Sequence, residues 1–149
     1  MKPIASLRFK TWKMPEIQHG KLTRHNWLVL HPAGLSLSPN TDIGAFTLIQ
    51  AEYGVIIEED VQIGSHCSIY SVDTERNKKG LVIIAEKARI GSFCLICPGV
   101  IVGEGAFIKA YCIIDADVPA GTIIPPYTFW KGDHCCQTLK ESSSPAEEA

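Results

Sequence analysis

The sequence lacks the features of a membrane protein and of a nucleic-acid-binding protein. None of its apolar runs approaches the ~20 residues that span a bilayer, and residues 1–15 contain no long apolar stretch of the kind found in a signal peptide. The formal net charge of the 149 residues is −2, which gives no electrostatic basis for binding nucleic acid. These absences predict a cytoplasmic protein, and the chain is long enough for one continuous core.

The six cysteines lack the spacing of a zinc site. Cys135 and Cys136 are adjacent, next to His134, whereas paired zinc ligands are usually separated by about two to four residues. We therefore predict no metal site and treat the cysteines as small apolar residues.

An aliphatic residue at every sixth position is the dominant pattern between Leu37 and Ile114. The positions in this phase include Ile43, Ile49, Ile57, Ile63, Ile69, Ile84, Ile90, Ile96, Val102, Ile108 and Ile114. A period of six matches neither the 3.6-residue period of a helix nor the two-residue period of a strand. Hexapeptide periods are typical of a parallel β-helix, in which each side of a coil is one short strand and one turn.

The repeat also predicts which residues stack on each other. If Ile57, Ile63 and Ile69 form the three sides of one coil, then Ile43, Ile63, Ile90 and Ile108 share the second side. Four positions after each lies a small residue that we expect to pack inside: Thr47, Cys67, Cys94 and Cys112. Three positions after each lies a corner residue, which predicts an aromatic ladder of Phe46, His66, Phe93 and Tyr111. Such a ladder is either an interface or ligand groove, or a column that stabilises the turns.

Interruptions of the period divide the chain into three parts. We predict an N-terminal capping segment at 1–30, a β-helix domain at 31–132 and a flexible tail at 133–149. The polar stretch at 70–81 breaks the repeat and predicts an excursion loop. Pro119, Pro125 and Pro126 are expected to end the solenoid, because proline cannot donate to another strand.

Three stretches carry a resemblance to a known family. They begin Ile63-Gly-Ser-His-Cys, Arg89-Ile-Gly-Ser-Phe and Asp117-Val-Pro-Ala-Gly-Thr. From about residue 30 to 124 the chain resembles the hexapeptide-repeat acyltransferases, and within them the maltose- and galactoside-acetyltransferase-like branch of polysaccharide and amino-sugar biosynthesis. The resemblance implies a left-handed parallel β-helix, a homotrimer, and acetyl transfer from acetyl-CoA to a hydroxyl or amine of a sugar or nucleotide-linked sugar.

The same resemblance implies where the site residues lie. In such trimers the active site lies between subunits, and the excursion loop of one subunit reaches across it. Ser92 and Ala110 are then expected to line the CoA groove. Basic candidates for its phosphates are Arg89, Lys109, Lys78 and Lys79, although for any single lysine a solvated face is the simpler explanation. Loop residues expected to contact the acceptor substrate are Thr74, Arg76 and Asn77.

The general base is the point at which the chain departs from the family. Acyl transfer needs a group that accepts the proton of the attacking oxygen or nitrogen, and the family usually places a histidine in a Tyr-Ser-His-Asp-like context. Here the order is Tyr70-Ser71-Val72-Asp73. Three alternatives remain open: His66 is the base with Asp73 or another acid polarising it, Asp73 is itself the base, or the protein is not a catalyst. His31 is a weaker candidate.

Two other functions are consistent with this fold. The ending Pro125-Pro-Tyr-Thr replaces the Gly-x-Pro-Ala-Lys of the acetyltransferases and resembles the non-catalytic β-helix subunits at the pointed end of dynactin, which favours an assembly or scaffold module. A γ-class carbonic anhydrase-like metalloenzyme needs about three converging ligands, and His66 is the one histidine inside the regular repeat.

Overall fold

The computed structural model describes residues 11–131 and, as backbone alone, the strand at 136–138. Within these residues the chain is a left-handed parallel β-helix, which confirms the predicted fold class. Its regular helical structure is one short 3-10 turn, Pro32–Gly34. None of the described helical structure is long and apolar enough to cross a membrane.

The strands form three parallel sheets, one on each face of the solenoid. Face A contains β1 (Leu28–Leu30), β4 (Leu48–Gln50), β7 (Ser68–Tyr70), β12 (Leu95–Ile96), β15 (Ile113–Ile114) and β17 (Thr128–Trp130). Face B contains β2 (Leu35–Leu37), β5 (Val55–Ile57), β10 (Val82–Ile84) and β13 (Ile101–Val102). Face C contains β3 (Asp42–Ile43), β6 (Gln62–Ile63), β11 (Arg89–Ile90), β14 (Phe107–Ile108) and β16 (Ile123–Ile124).

The inward isoleucines are aligned from coil to coil. On face C the parallel register pairs Ile43 with Ile63, Ile63 with Ile90, and Ile90 with Ile108. This is the stacking that the six-residue period predicts, and Ile124 extends it by one more coil. Each of these side chains is buried, and burying one isoleucine contributes about 1.5–3 kcal/mol.

A column of small polar side chains fills the interior beside face C. Thr47 Oγ1 donates to the carbonyl of Gly64 at 2.8 Å, and the thiols of Cys67 and Cys94 donate to the carbonyls of Gly91 and Lys109, each at 3.2 Å. Burial raises the pKa of Cys67, which keeps its thiol protonated and able to donate. The column thus joins successive coils, and the predicted packing role of these cysteines is confirmed.

The solenoid is covered at its N-terminal end by the segment at 11–27. Trp12 Nε1 donates to the carbonyl of Thr41 at 2.8 Å, and the Trp27 side chain is buried against the first coil. At the other end, β18 (Cys136–Thr138) pairs antiparallel with β17. The rest of the predicted tail at 133–149 lies outside the described residues.

The interruption at 70–81 is a β-hairpin that projects from the corner between faces A and B. It comprises the antiparallel strands β8 (Val72–Asp73) and β9 (Lys78–Lys79). Strand β7 ends at Tyr70 and β10 begins at Val82, so the excursion loop occupies the residues that the broken period predicts.

Glycines after the face C strands allow successive coils to approach closely. A Cβ atom added at Gly64 would lie 2.6 Å from the backbone nitrogen of Ser92, and one at Gly91 would lie 2.6 Å from that of Ala110. Movement of either neighbour would disturb a hydrogen bond between coils, because the Ser92 carbonyl accepts from the Tyr111 N–H at 3.0 Å and the Ala110 carbonyl from the Tyr127 N–H at 3.2 Å. These glycines are therefore required by the spacing between coils.

We expect Gly91→Ala to lower the free energy of unfolding by about 3 kcal/mol or more, because its methyl group would overlap backbone atoms of the next coil. Gly105→Ala is the matched control: its Cβ would meet nothing within 4 Å, although its φ of +67° adds strain, of about 1–2 kcal/mol. Denaturant unfolding of both variants measures the difference. A Gly91→Ala protein no less stable than Gly105→Ala would contradict this account of the coil spacing.

Candidate active site

An aromatic ladder runs along the corner between faces C and A. Its members are Phe46, His66, Phe93, Tyr111 and Tyr127. Their successive ring centroids are 5.4, 4.7, 4.9 and 5.2 Å apart, and the last three pairs are stacked. The ladder predicted from the sequence is confirmed. Tyr127, which follows Ile124 at the same three-residue spacing, extends the ladder by one ring beyond the predicted members.

Each ladder residue has a left-handed backbone conformation, with φ between +56° and +63°. This conformation turns the chain from face C to face A and directs the N–H groups along the solenoid. The His66 N–H donates to the carbonyl of Ala45, and the Phe93 N–H donates to that of Ser65, both at 3.0 Å. Ring stacking, at about 0.5–1.5 kcal/mol per pair, helps to offset the strain of these non-glycine residues. The rings remain exposed, Phe46 by 57% and Tyr111 by 44%.

A shallow cleft of about 380 Å³ lies on face C beside the ladder. Its lining includes Gly64, Ser65, Arg89, Gly91 and Phe107. Three of its lining residues are glycines that follow face C strands in successive coils: Gly44, Gly64 and Gly91. No side chains project into the cleft at these positions.

Ser92, predicted to line a CoA groove, is next to two residues that line this cleft: it follows Gly91 in the chain and contacts Ser65. Its Oγ accepts a hydrogen bond from the Ser65 N–H at 3.2 Å and lies 3.4 Å from the Ser65 Oγ. Ala110 follows in the next coil, where its carbonyl accepts from the Tyr127 N–H at 3.2 Å. The structure therefore brings Ser92, Ala110 and His66 to one corner.

Two predicted phosphate-binding residues share one aromatic ring on face C. The Arg89 guanidinium lies 4.0 Å from the Phe107 ring centroid, and Lys109 Nζ lies 5.3 Å from the same centroid. Cation–π contacts of this kind hold both positive charges over the surface of face C.

The excursion loop is fixed by Arg76. Its Nε donates to Asp73 Oδ2 and its Nη1 to Asp115 Oδ2, each at 2.9 Å, while Nη2 lies 3.2 Å from the Cys97 thiol. The hydrogen bond from Arg76 lowers the pKa of Asp73. Asp73 is therefore an ionised acceptor that orders the loop, and its lowered pKa makes it a weaker general base.

The predicted site residues form two groups on opposite edges of face A. His66, Ser92 and Ala110 lie at the ladder corner, with Arg89 and Lys109 close by on face C. The loop residues lie beyond the far edge: Asp73, Thr74, Arg76 and Asn77. The three residues of β7 separate the groups, by roughly 10 Å at about 3.3 Å per residue. His66 and Asp73, which one of the three alternatives pairs, therefore lie apart within one chain.

His31 has a different environment from His66. Its backbone N–H donates to His19 Nδ1 at 2.9 Å, and its Nε2 lies 4.0 Å from Glu52. This cluster lies between β1 and the 3-10 turn, where His31 precedes Pro32. Across residues 11–131, no three His, Cys, Asp or Glu side chains are grouped as a metal site requires.

No protein-family model matches the chain. It is similar to the Bacillus subtilis (strain 168) protein named "Putative acetyltransferase YvoF", with 27% identity over 118 residues. The match covers 77% of this chain and 58% of that protein, so the chain spans a little over half the length of its relative.

Two solved structures of one protein share the fold. They are AntD, an N-acyltransferase from Bacillus cereus, in complex with dTDP and 3-hydroxybutyryl-CoA, and a mutant of AntD in complex with dTDP and coenzyme A. The TM-scores are 0.54 and 0.55 at 18% identity. Each match covers 68% of this chain, and 72% or 73% of the AntD chain.

We expect Asp115→Asn to loosen the excursion loop, because it removes the charge that holds Arg76 to the solenoid. The ion pair is partly exposed, so we expect a loss of about 1 kcal/mol, which corresponds to roughly fivefold faster trypsin cleavage at residues 76–79. Glu75→Gln is the matched control, since it removes an exposed loop carboxylate that does not contact Arg76 in the described structure. Equal cleavage rates in the two variants would rule out this role for Asp115.

Proposed function

We propose that this chain is an acyltransferase that transfers the acetyl group of acetyl-CoA to a hydroxyl or amine of a sugar or nucleotide-linked sugar, as in polysaccharide biosynthesis. The observation that carries the proposal is the similarity over 77% of the chain to a protein named as a putative acetyltransferase. It is supported by the fold shared with AntD, whose structures contain a CoA derivative and dTDP.

The donor is proposed to lie along face C and the ladder corner. Ser92 and Ala110 would offer hydroxyl and backbone groups to the amides of the pantetheine arm. Arg89 and Lys109 would attract the phosphates, since both cations are held within 5.3 Å of the Phe107 ring centroid. Because glycines line the cleft, the extended pantetheine arm of the donor could lie directly against the backbone.

His66 is proposed as the general base. As the acceptor oxygen or nitrogen forms its bond to the acetyl carbon, the carbon–sulfur bond of the thioester breaks and CoA leaves as a thiolate. His66 takes the acceptor's proton and can return it to that thiolate. Stacking on Phe93 at 4.7 Å and 4° fixes the plane of the imidazole, and the residue remains exposed.

The complete site is proposed to form between subunits of a homotrimer. The loop residues Thr74, Arg76 and Asn77 lie on the opposite edge of face A from His66, so a neighbouring chain must supply one of the two groups. Arg76 is engaged by Asp73 and Asp115, so it would position the loop while Thr74 and Asn77 face the acceptor. The exposed edges of the aromatic ladder would be covered by the neighbouring subunit.

A non-catalytic β-helical assembly module is the second candidate. Val72 replaces the family's usual loop histidine, and Asp73 is engaged by Arg76. In this case the aromatic ladder is the contact surface and neither His66 nor the face C cleft has a catalytic role.

Calorimetry with acetyl-CoA tests the leading proposal. We expect micromolar binding by the wild-type protein and by His66→Ala, and a loss of turnover of about 100-fold or more in His66→Ala once an acceptor has been found. Phe46→Ala is the control, since it removes an exposed ladder ring without removing a titratable group. No detectable binding of acetyl-CoA would favour the assembly module. Equal losses in the two variants would give His66 a structural role.

Sedimentation equilibrium tests the trimer, with an expected mass about three times that of the 16.3 kDa chain. Mixing His66→Ala with Arg76→Ala subunits tests the shared site. Random trimers would regain about a quarter of wild-type activity, because that fraction of interfaces combines an intact His66 with an intact loop. A 16.3 kDa monomer, or a mixture without activity, would contradict the intersubunit site.

A further inference from the structure

A second cleft, of about 440 Å³, lies between the capping segment and the first coil. It is lined by residues of the segment at 11–15, by residues of the turn at 23–27, and by Thr41, Asp42 and Ile43. We propose that this cap cleft binds a nucleoside diphosphate group. The inference does not rest on acyl transfer, because nucleotide binding can be measured without turnover.

The turn at 23–27 presents two basic side chains to the cleft. It is closed by hydrogen bonds from the Thr23 N–H to the Trp27 carbonyl at 2.8 Å and from the Asn26 N–H to the Thr23 carbonyl at 2.9 Å. Arg24 and His25 occupy its tip, and Arg24 Nε donates to His25 Nε2 at 3.2 Å. This bond orients the guanidinium and leaves its two terminal amino groups for a ligand.

The segment at 11–15 adds a third basic side chain to the lining. Lys13 follows Trp12, whose indole nitrogen donates to the carbonyl of Thr41 at 2.8 Å. This bond attaches the segment to the first coil next to Lys13, which lines the cleft together with Arg24. A ligand in the cleft would therefore meet positive charge from two segments of the chain.

The charges of Lys13 and Arg24 are not neutralised by a carboxylate. Within residues 11–131 neither side chain forms an ion pair, whereas Arg76 and Lys78 both pair with Asp115. Asp42, which also lines the cleft, has an interaction of its own. Arginine and lysine together favour a multiply charged anion such as a diphosphate.

A partly exposed tryptophan indicates a ligand that also contains a flat ring. Trp27 lines the cleft but is only 3% exposed, so the half-buried indole of Trp12 is the ring available to a ligand. Nucleobases stack on such rings at about 1–3 kcal/mol each. The cleft is within the range of about 300–1,000 Å³ that is usual for small-ligand sites. Asp42 borders both this cleft and the face C cleft, so a group attached to the diphosphate could extend onto face C.

Tryptophan fluorescence during titration with UDP tests the proposal, because two of the three tryptophans line the cleft. We expect saturable quenching, with binding weakened about tenfold or more by Arg24→Gln and in the same direction by Lys13→Gln. Lys87→Gln is the matched control, since it removes an exposed lysine on another corner of the solenoid, and should leave the affinity unchanged. Unchanged urea unfolding midpoints would establish that all three variants are folded.

Four results would overturn the proposal. These are no saturable quenching at millimolar UDP, an affinity insensitive to Arg24→Gln, uridine binding as tightly as UDP, and pyrophosphate binding as tightly as UDP. If uridine bound as tightly as UDP, the diphosphate would not contribute to binding. If pyrophosphate bound as tightly as UDP, the nucleoside would not contribute. UDP binding without acetyl-CoA binding or turnover would support this inference while contradicting the proposed acyl transfer.

Both a nucleotide-linked sugar and CoA contain a nucleoside diphosphate. Titration with UDP in saturating acetyl-CoA distinguishes them. Loss of UDP binding would identify the cap cleft as a site for the ADP portion of the donor, and retained UDP binding would identify a separate nucleotide site. Either result supports a nucleoside diphosphate ligand in this cleft.

Discussion

The constraint on which this structure depends is the hydrogen-bonded stacking of successive coils in parallel register. Each coil donates to and accepts from its neighbours along all three faces, so an insertion within one side would displace every residue after it. The single long interruption is therefore placed at a corner, where the hairpin of β8 and β9 leaves the solenoid and returns without altering the pairing of β5 with β10. The core isoleucines are aligned because the strands are.

The same stacking converts a periodic sequence into columns with distinct chemistry. The residue that follows each face C isoleucine is often a glycine that permits close approach, the third is an exposed ring, and the fourth is a buried hydroxyl or thiol. Cys67 and Cys94 belong to the buried column and donate to carbonyls of the next coil, whereas His66 belongs to the exposed one. The other ladder residues are phenylalanines and tyrosines, which are sufficient for stacking. His66 alone adds an imidazole, which can also accept a proton.

The residues of this fold that could bind a ligand are those that project outward or depart from the repeat. They lie at three places: the face C cleft, the Arg76-fixed loop and the cap cleft. The ladder corner and the loop belong to opposite edges of face A, which is why a site that used both would need a second chain. The cap cleft lies at the end of the solenoid, where the repeat no longer dictates which residues face outward.

The sequence by itself determined the fold class, the stacking on face C, the packing role of the cysteines and the position of the excursion loop. All four follow from a local period of six and its interruption, because hexapeptide periods are typical of a parallel β-helix, with the handedness implied by the family resemblance. Only the tertiary structure decided that His66 and Asp73 do not meet within a chain, that Arg76 joins Asp73 to Asp115, and that Lys13 and Arg24 face one cleft. These are contacts between side chains far apart in sequence or outside the repeat. Their geometry depends on how the loop and the capping segment fold back onto the coils, and no period encodes it.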